Sequence, residues 1–166
     1  PIVQIGSGES PYQSVYASSG NPMMIDLERL VQEKLLEESE LSVCRMPQDG
    51  KVHFEELEHR KMELLRKAYT RFDITQKCFR EFSEGKFRDY ALFMALREKN
   101  DRKPFWEWSK RYRKYDAAEL HNFYEKNCEE VNFWLFLQYE FFREWKELKA
   151  YVNGLGIKII GDIPLY

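Results

Sequence analysis

Apolar residues recur every three to four positions through most of the chain, and this spacing predicts a series of amphipathic helices. The first helix is predicted from Leu27, with Asp26 as its N-cap, and it ends before the turn at 47–50. A long second helix is predicted over 54–82, and a third over 87–100. The middle of the chain is therefore expected to be a block of helices.

The longest helical pattern begins after Asp116, a predicted N-cap, and continues to about Val152. A rod of this length, at about 1.5 Å per residue, is expected to kink. Asn153 and Gly154 then end the helix. Between the third helix and this one, residues 105–108 (FWEW) predict a short aromatic turn.

The last residues follow a different pattern, with a continuous β-branched run over 156–161 and then Asp162 and Pro164. Such a run is typical of a strand covered on both faces in a parallel sheet. A strand of this kind needs neighbours, and upstream only residues 2–5 (IVQI) offer another. We therefore expect part of a larger α/β protein, in which a helical insertion of roughly one hundred residues separates two consecutive strands.

Composition narrows the function classes. The 166 residues are 43% hydrophobic, which is enough for a sizeable core, and 26 basic against 28 acidic residues leave a net charge of −2. This balance argues against nucleic acid and anionic membranes as partners. Three cysteines without metal-site spacing predict neither a disulfide framework nor a structural metal. A cytoplasmic location is the simplest setting, and the missing initiator Met suggests a chain that begins inside a longer one.

Several motifs are expected to be structural. The basic aromatic run at 110–115 (KRYRKY) is interpreted as a solvated helix end or loop, because a nearly neutral chain gives little support for a nucleic-acid patch. His53, His59 and His121 lack metal-site spacing and are expected to be structural or exposed. The four tryptophans are expected in the core, although one exposed Trp of the 105–108 turn could serve as a sugar platform.

Two places carry candidate chemistry. Asp162 follows the predicted strand, where polar residues of parallel sheets line ligand sites, although it could instead cap the next turn. The loop at 10–14 (SPYQS) joins the ring of Tyr12 to the polar groups of Gln13 and Ser14. This mixture suits sugars, but a turn in which Tyr12 is a hydrophobic plug fits equally well.

The two ends of the chain together resemble the 4-α-glucanotransferases, also called amylomaltases or disproportionating enzymes. The resemblance lies in residues 10–14 (SPYQS), 20–26 (GNPMMID), 133–151 and 156–166 (GIKIIGDIPLY). It implies a partial (β/α)8 barrel, divided into a strand end and cleft loop at 1–26, a helical insertion at 27–115, and a barrel helix with the next parallel strand at 116–166.

The resemblance also implies transfer of α-1,4-glucan segments to acceptor sugars with retention of configuration, without a cofactor or metal. Its partners would be α-1,4-glucans, maltooligosaccharides and the remainder of the barrel. Tyr12 would stack on a sugar ring, Gln13 and Ser14 would support it, and Asp162 would bind hydroxyls at the site floor. The two carboxylates of a retaining mechanism are implied to lie outside this chain, so the chain alone is predicted to be inactive.

Two hypotheses of other classes remain open at this point. The long amphipathic segments also fit a helical protein-interaction module without catalytic activity. A sugar-binding module without catalysis would likewise explain the loop at 10–14.

Overall fold

The computed structural model describes residues 14–45, 53–114 and 116–161, and within these ranges the chain is helical and contains no β-strand. The helices are α1 (Leu27–Gln32), α2 (Phe54–Arg71), α3 (Lys77–Ser83), α4 (Arg88–Lys99), α5 (Lys110–Arg113) and α6 (Ala117–Gly154), with 3-10 turns at Pro22–Met24, Glu38–Cys44 and Phe105–Glu107. The helical prediction for the middle of the chain is confirmed, whereas its α/β class is not visible in these residues.

Helix α6 forms the centre of the structure, and its middle is buried on all sides. The buried residues of α6 are Phe123, Val131, Phe133, Trp134, Leu135, Phe136, Leu137, Gln138, Glu140 and Phe141. A helix that is apolar all round lies inside a core, because every face must find a neighbour. The other helices therefore pack around α6.

Helix α4 runs antiparallel to the part of α6 that follows Asn127. The rings of Phe87 and Phe142 stack with centroids 4.8 Å apart, and Tyr90 meets Trp134 edge to face at 6.5 Å. In this part of α6, positions later in α4 thus meet positions earlier in α6. Aromatic pairs in these geometries add about 0.5–1.5 kcal/mol each beyond the area they bury.

Both predicted N-caps are confirmed. The Asp26 carboxylate accepts from the Glu28 backbone N–H at 2.9 Å, and Asp116 accepts from Ala118 and Glu119 at 3.0 and 3.1 Å. Each carboxylate satisfies donors that the first turn of a helix leaves unpaired. These caps fix where α1 and α6 begin.

The prediction of one long helix over 54–82 is wrong, because α2 ends at Arg71 and α3 begins at Lys77. Between them the Asp73 side chain accepts hydrogen bonds from the backbone N–H and the hydroxyl of Thr75, at 2.8 and 2.6 Å. This local turn gives the backbone an alternative to the helix. The break lets Phe72 and Phe79 meet edge to face, with centroids 5.1 Å apart.

The first helix is also shorter than expected. Helix α1 ends at Gln32, and Lys34 follows with a φ of 63°, a left-handed conformation that stops a right-handed helix. The chain then continues as the 3-10 turn Glu38–Cys44. The Glu40 carboxylate in that turn pairs with Arg71 of α2, which fastens the turn to the end of that helix.

The expected kink in α6 is present at Asn127, whose φ of −136° and ψ of 29° are not helical. The Asn127 side-chain amide donates to the Phe123 carbonyl at 2.8 Å and so supplies a hydrogen bond at the bend. Helix α6 therefore has two segments, and the one before the kink packs through Phe123 against Tyr112 of α5.

The strand predicted over 156–161 is not formed, since residues 157–161 have no regular structure and are exposed. Ile157, Ile159 and Ile160 are 57%, 42% and 94% exposed. A strand covered on both faces requires neighbouring strands, and the described parts of the chain supply none. The other predicted strand, at 2–5, lies outside the described residues.

The tryptophans and the basic run follow their predictions. Trp108 and Trp134 are buried and Trp145 packs against the core, whereas Trp106 is 62% exposed. The basic aromatic run contains the short helix α5, where Arg111 donates to the Glu119 carboxylate and Tyr112 packs against the core. The described part of the run, 110–114, is therefore a short, mostly exposed helix in contact with α6.

Candidate functional site

The segment after the candidate sugar loop is tied to α6 by a pair of buried hydrogen bonds. The Gly20 backbone N–H donates to Gln138 Oε1 at 2.8 Å, and Gln138 Nε2 donates to the Gly20 carbonyl at 3.1 Å. Gln138 is fully buried, so its amide replaces water for both backbone groups of Gly20. This amide holds the backbone of Gly20 in one place against the central helix.

The space at this contact requires a glycine at position 20. A Cβ added at Gly20 would lie 1.9 Å from Cδ1 of the Phe141 ring, far inside van der Waals contact. Only a residue without a side chain allows the backbone to approach α6 this closely. The GNP sequence at 20–22 therefore marks a point of contact between loop and helix.

The residues just before Gly20 lie against α4. The Ser19 hydroxyl is buried and donates to the Tyr16 carbonyl at 2.8 Å, and the Tyr16 ring lies 5.6 Å from that of Tyr90. Burial raises the pKa of the Tyr90 hydroxyl, while a side-chain hydrogen bond with Ser19 lowers it. The loop is thus held from two sides, by α4 and by α6.

Residues just after Gly20 are held by α2. Asn21 Oδ1 accepts from the Met23 backbone N–H at 3.0 Å, which caps the 3-10 turn Pro22–Met24. Lys61 Nζ donates to the Met23 carbonyl at 2.8 Å. Burial lowers the pKa of Lys61, because a cation with less access to water loses part of its hydration.

The start of α1 is bound to the last part of α6. Both oxygens of Glu144 accept from the Asp26 backbone N–H, at 3.2 and 3.1 Å. Arg29 pairs with Glu147 at 2.7 Å. Burial raises the pKa of Glu144, and the Asp26 hydrogen bond opposes that shift. The whole stretch from Ser19 to Arg29 therefore rests on the helical body.

Of the predicted substrate-binding residues, Ser14 is described, and Tyr12, Gln13 and Asp162 lie outside the described residues. The Ser14 hydroxyl donates to the Tyr16 carbonyl at 3.0 Å and accepts from the Tyr16 backbone N–H at 3.2 Å. It thereby shapes the turn that follows Tyr12 and Gln13. The proximity of Asp162 to this loop stays a prediction.

Glu140 is a buried carboxylate that the sequence did not single out. It is 1% exposed and pairs with Arg143. Arg143 also donates to the Glu33 carboxylate at 2.6 Å. The Oε1 atom of Glu140 has no hydrogen-bond partner among the described residues. Burial raises the pKa of Glu140 to about 7, Arg143 opposes this, and Glu33 adds to it. The signal in the sequence was a lone acid within the apolar run 131–142.

A raised pKa is typical of a general acid, but the position of Glu140 argues for a structural role. It is buried beside Glu33, just after α1, and it does not line the surface cavity described next. That cavity, of about 160 Å³, lies between the first turns of α4 and α6 and is lined by Arg88, Asp89, Leu92, Ala117, Leu120, His121 and Tyr124. It holds a single carboxylate.

Within the described ranges, no group of His, Cys, Asp and Glu side chains is arranged to hold a metal ion. No helix in those ranges combines the length and apolarity that crossing a membrane requires. The three cysteines, Cys44, Cys78 and Cys128, are free thiols.

The fold is thus a helical body with the stretch from Ser19 to Arg29 fixed against its central helix. It matches a solved structure, that of amylomaltase from Streptococcus agalactiae in complex with acarbose, with a TM-score of 0.90 and 31% identity, over 100% of this chain and 35% of that one. A family model described as 4-alpha-glucanotransferase matches residues 1–166. The chain belongs to this family, and the resemblance inferred from its two ends is confirmed.

Curated relatives agree. A 4-alpha-glucanotransferase of Clostridium butyricum is 39% identical over 100% of this chain and 35% of its own length. Another, of Aquifex aeolicus (strain VF5), is 35% identical over 96% of this chain and 33% of its own length. The chain therefore spans about a third of the length of the curated relatives that it matches.

Proposed function

We propose that this chain is part of a 4-α-glucanotransferase that moves α-1,4-glucan segments from a donor to an acceptor sugar with retention of configuration. The observation that carries the proposal is the family match over residues 1–166, with a structural match to an amylomaltase at a TM-score of 0.90. The acarbose complex of that neighbour supports an oligosaccharide as the ligand.

Retention by transfer needs two carboxyl groups, a nucleophile and an acid, about 5–5.5 Å apart across the scissile bond. The cavity between the first turns of α4 and α6 offers the single carboxylate of Asp89, and the buried Glu140 lies outside it. We assign both catalytic carboxylates to the rest of the parent enzyme. The chain alone is expected to be inactive, and the proposed reaction needs neither cofactor nor metal.

This chain would contribute an edge of the substrate cleft. In the proposal Tyr12 stacks on a sugar ring, Gln13 and Ser14 bond to hydroxyl groups, and Asp162 binds hydroxyls at the floor of the site. The fixed segment that follows Ser14 supports this role, because a binding loop loses less entropy when its backbone is already held.

The parent fold would be a (β/α)8 barrel with the helical body as an insertion between two strands. The exposure of Ile157, Ile159 and Ile160 supports this, since an apolar run with no covering is what a barrel strand would be without its neighbours. The remainder of the parent barrel would then be the partner of this end. We place the enzyme in the cytoplasm.

A chimeric enzyme tests the proposal. The matching segment of the Clostridium butyricum relative is replaced by this chain, and the purified chimera is incubated with maltotriose. We expect glucose and longer maltooligosaccharides, as with the unaltered relative. The isolated 166-residue chain, at the same concentration, should leave maltotriose unchanged.

A chimera that unfolds cooperatively like its parent yet makes no new products would contradict the proposal. Formation of products by the isolated chain would refute the assignment of both carboxylates to the rest of the enzyme.

A helical interaction module is a second candidate, because exposed apolar side chains lie in the last turns of α6 and just after it. Leu148, Tyr151 and Leu155 are 52%, 68% and 60% exposed. An active chimera would assign this surface to contact with the rest of the enzyme. An inactive chimera, together with an isolated chain that has no affinity for glucans, would favour the interaction module.

A further inference from the structure

The turn Phe105–Glu107 presents two large aromatic side chains to solvent. Phe105 is 52% exposed and Trp106 is 62% exposed, and their ring centroids lie 5.5 Å apart at an interplanar angle of 75°. Two large apolar rings side by side on the surface form a candidate contact site. The pair is referred to below as the aromatic turn.

The aromatic turn is held firmly from beneath. Trp108 is buried, its indole N–H donates to the Lys103 carbonyl at 2.8 Å, and its ring lies 5.3 Å from that of Phe93 in α4. Arg113 of α5 donates to the Trp106 carbonyl at 3.3 Å. The exposure of Phe105 and Trp106 is therefore a property of an anchored turn.

The backbone that leads into the turn is strained. Asp101 and Arg102 have φ values of 55° and 58°, and two consecutive residues with side chains rarely adopt this left-handed conformation. Arg102 is held there by its backbone bond to the Arg97 carbonyl at 2.9 Å and by its ion pair with Glu98 at 2.9 Å. These contacts hold the backbone between α4 and the aromatic turn in one conformation.

We propose that Phe105 and Trp106 form a binding surface for α-1,4-glucan chains, a proposal whose choice of ligand rests on the proposed function. Pyranose rings stack their C–H faces on aromatic rings, and an exposed Trp offers the largest such face. The steep angle between the two rings suits successive sugars of a curved α-1,4-linked chain. A flat β-1,4-linked chain would meet one ring only.

Affinity electrophoresis of the isolated chain tests this surface. In native gels that contain amylopectin, retardation gives the affinity for an α-glucan, and fluorescence titration with maltoheptaose gives a second value. Trp106→Ala is expected to weaken both by about tenfold, the upper end of what one aromatic contact supplies. Trp106→Phe should retain part of the affinity, because it keeps a ring.

The matched control is Tyr151→Ala, which removes an exposed aromatic ring from the far end of α6 and should leave the affinity unchanged. Cellohexaose, a β-linked probe, should compete poorly with maltoheptaose. Thermal unfolding shows whether each variant is folded, which is expected because both rings are exposed.

No retardation of the unaltered chain, or equal retardation of the unaltered chain and Trp106→Ala, would overturn the inference. The chimera separates this result from the proposed function. If the chimera is inactive while Trp106→Ala still loses amylopectin affinity, the transferase proposal fails alone. If the chimera is active and Trp106→Ala binds normally, only the aromatic turn is refuted.

Discussion

Gln138 binds both backbone groups of Gly20, a residue 118 positions earlier in the chain. Two further contacts have the same separation, Glu144 with the Asp26 backbone and Glu147 with Arg29. A constant separation means that the two segments run side by side in the same direction. The stretch after the candidate sugar loop is thus aligned with α6 over about three turns of helix.

Replacing Gln138 by Leu should destabilise the chain by about 2–4 kcal/mol, because it leaves the N–H and the carbonyl of Gly20 buried without partners. Urea denaturation followed by circular dichroism measures this change. Gln138→Glu is the graded control, since a carboxylate still accepts from Gly20 but cannot donate to its carbonyl unless protonated. A Leu variant as stable as the unaltered chain would show that this pair of bonds does not fix the loop.

Gly20→Ala should lower the free energy of unfolding by about 1–3 kcal/mol, because its Cβ would enter the space of the Phe141 ring. Gly154→Ala is the matched control, as nothing lies within 4 Å of a Cβ at that position. It should be neutral or stabilising by up to about 1 kcal/mol, since Ala favours helix. Equal stabilities in thermal denaturation would contradict the close approach of loop and helix.

The stability of the chain should fall as the pH rises from about 5 to about 8. Burial raises the pKa of Glu140 from 4.5 to about 7, so the folded state keeps a proton that the unfolded chain has already released. The loss of stability is complete only above the pKa that Glu140 has in the folded state. A difference of about 2.5 pKa units, at 1.36 kcal/mol per unit, corresponds to a loss of up to about 3 kcal/mol. Urea denaturation across this range measures the slope.

The charged groups around Glu140 are Arg143, Glu33 and Glu144. Glu140→Gln should flatten the slope and make the chain more stable than the unaltered protein at high pH, because a neutral amide replaces a buried charge. Glu40 acts in the opposite direction at lower pH, since Arg71 and Lys67 hold its pKa at about 2. An unchanged slope in Glu140→Gln would remove Glu140 as its source.

Tyr12→Ala, made in the chimeric enzyme, should reduce kcat/KM for maltotriose by about tenfold, because it removes a ring that stacks on sugar in the proposed cleft. Tyr12→Phe keeps the ring and should retain most of the activity. Initial rates of glucose release give both values. A fully active Tyr12→Ala variant would favour the alternative in which this residue is a hydrophobic plug.

Much of the helical body could be predicted because its signals are local. The carboxylates of Asp26 and Asp116 cap the helices that follow them, and the apolar spacing gave the bounds of α4 to within a residue. The break between α2 and α3 was missed because one short side chain, Asp73, competes with the helix at a position where the apolar spacing continues.

The ties that place the loop could not be predicted, because no local pattern links Gly20 to Gln138. Glu140 was missed for a related reason, since its partner Arg143 also binds Glu33, which comes from a distant part of the chain. The strand at 156–161 was predicted from its continuous β-branched run. Such a run indicates only that the segment needs to be covered by other parts of a protein. Neighbouring strands decide whether such a segment becomes a strand, and the described residues provide none.

The separation of 118 residues between Gly20 and Gln138 has a consequence for biosynthesis. While the ribosome is still making the helical body, the first segment has nothing to dock on, and its final shape must wait until the second half of α6 has emerged. The stretch from Ser19 to Arg29 is therefore expected to be among the last of the described residues to reach its final structure after translation.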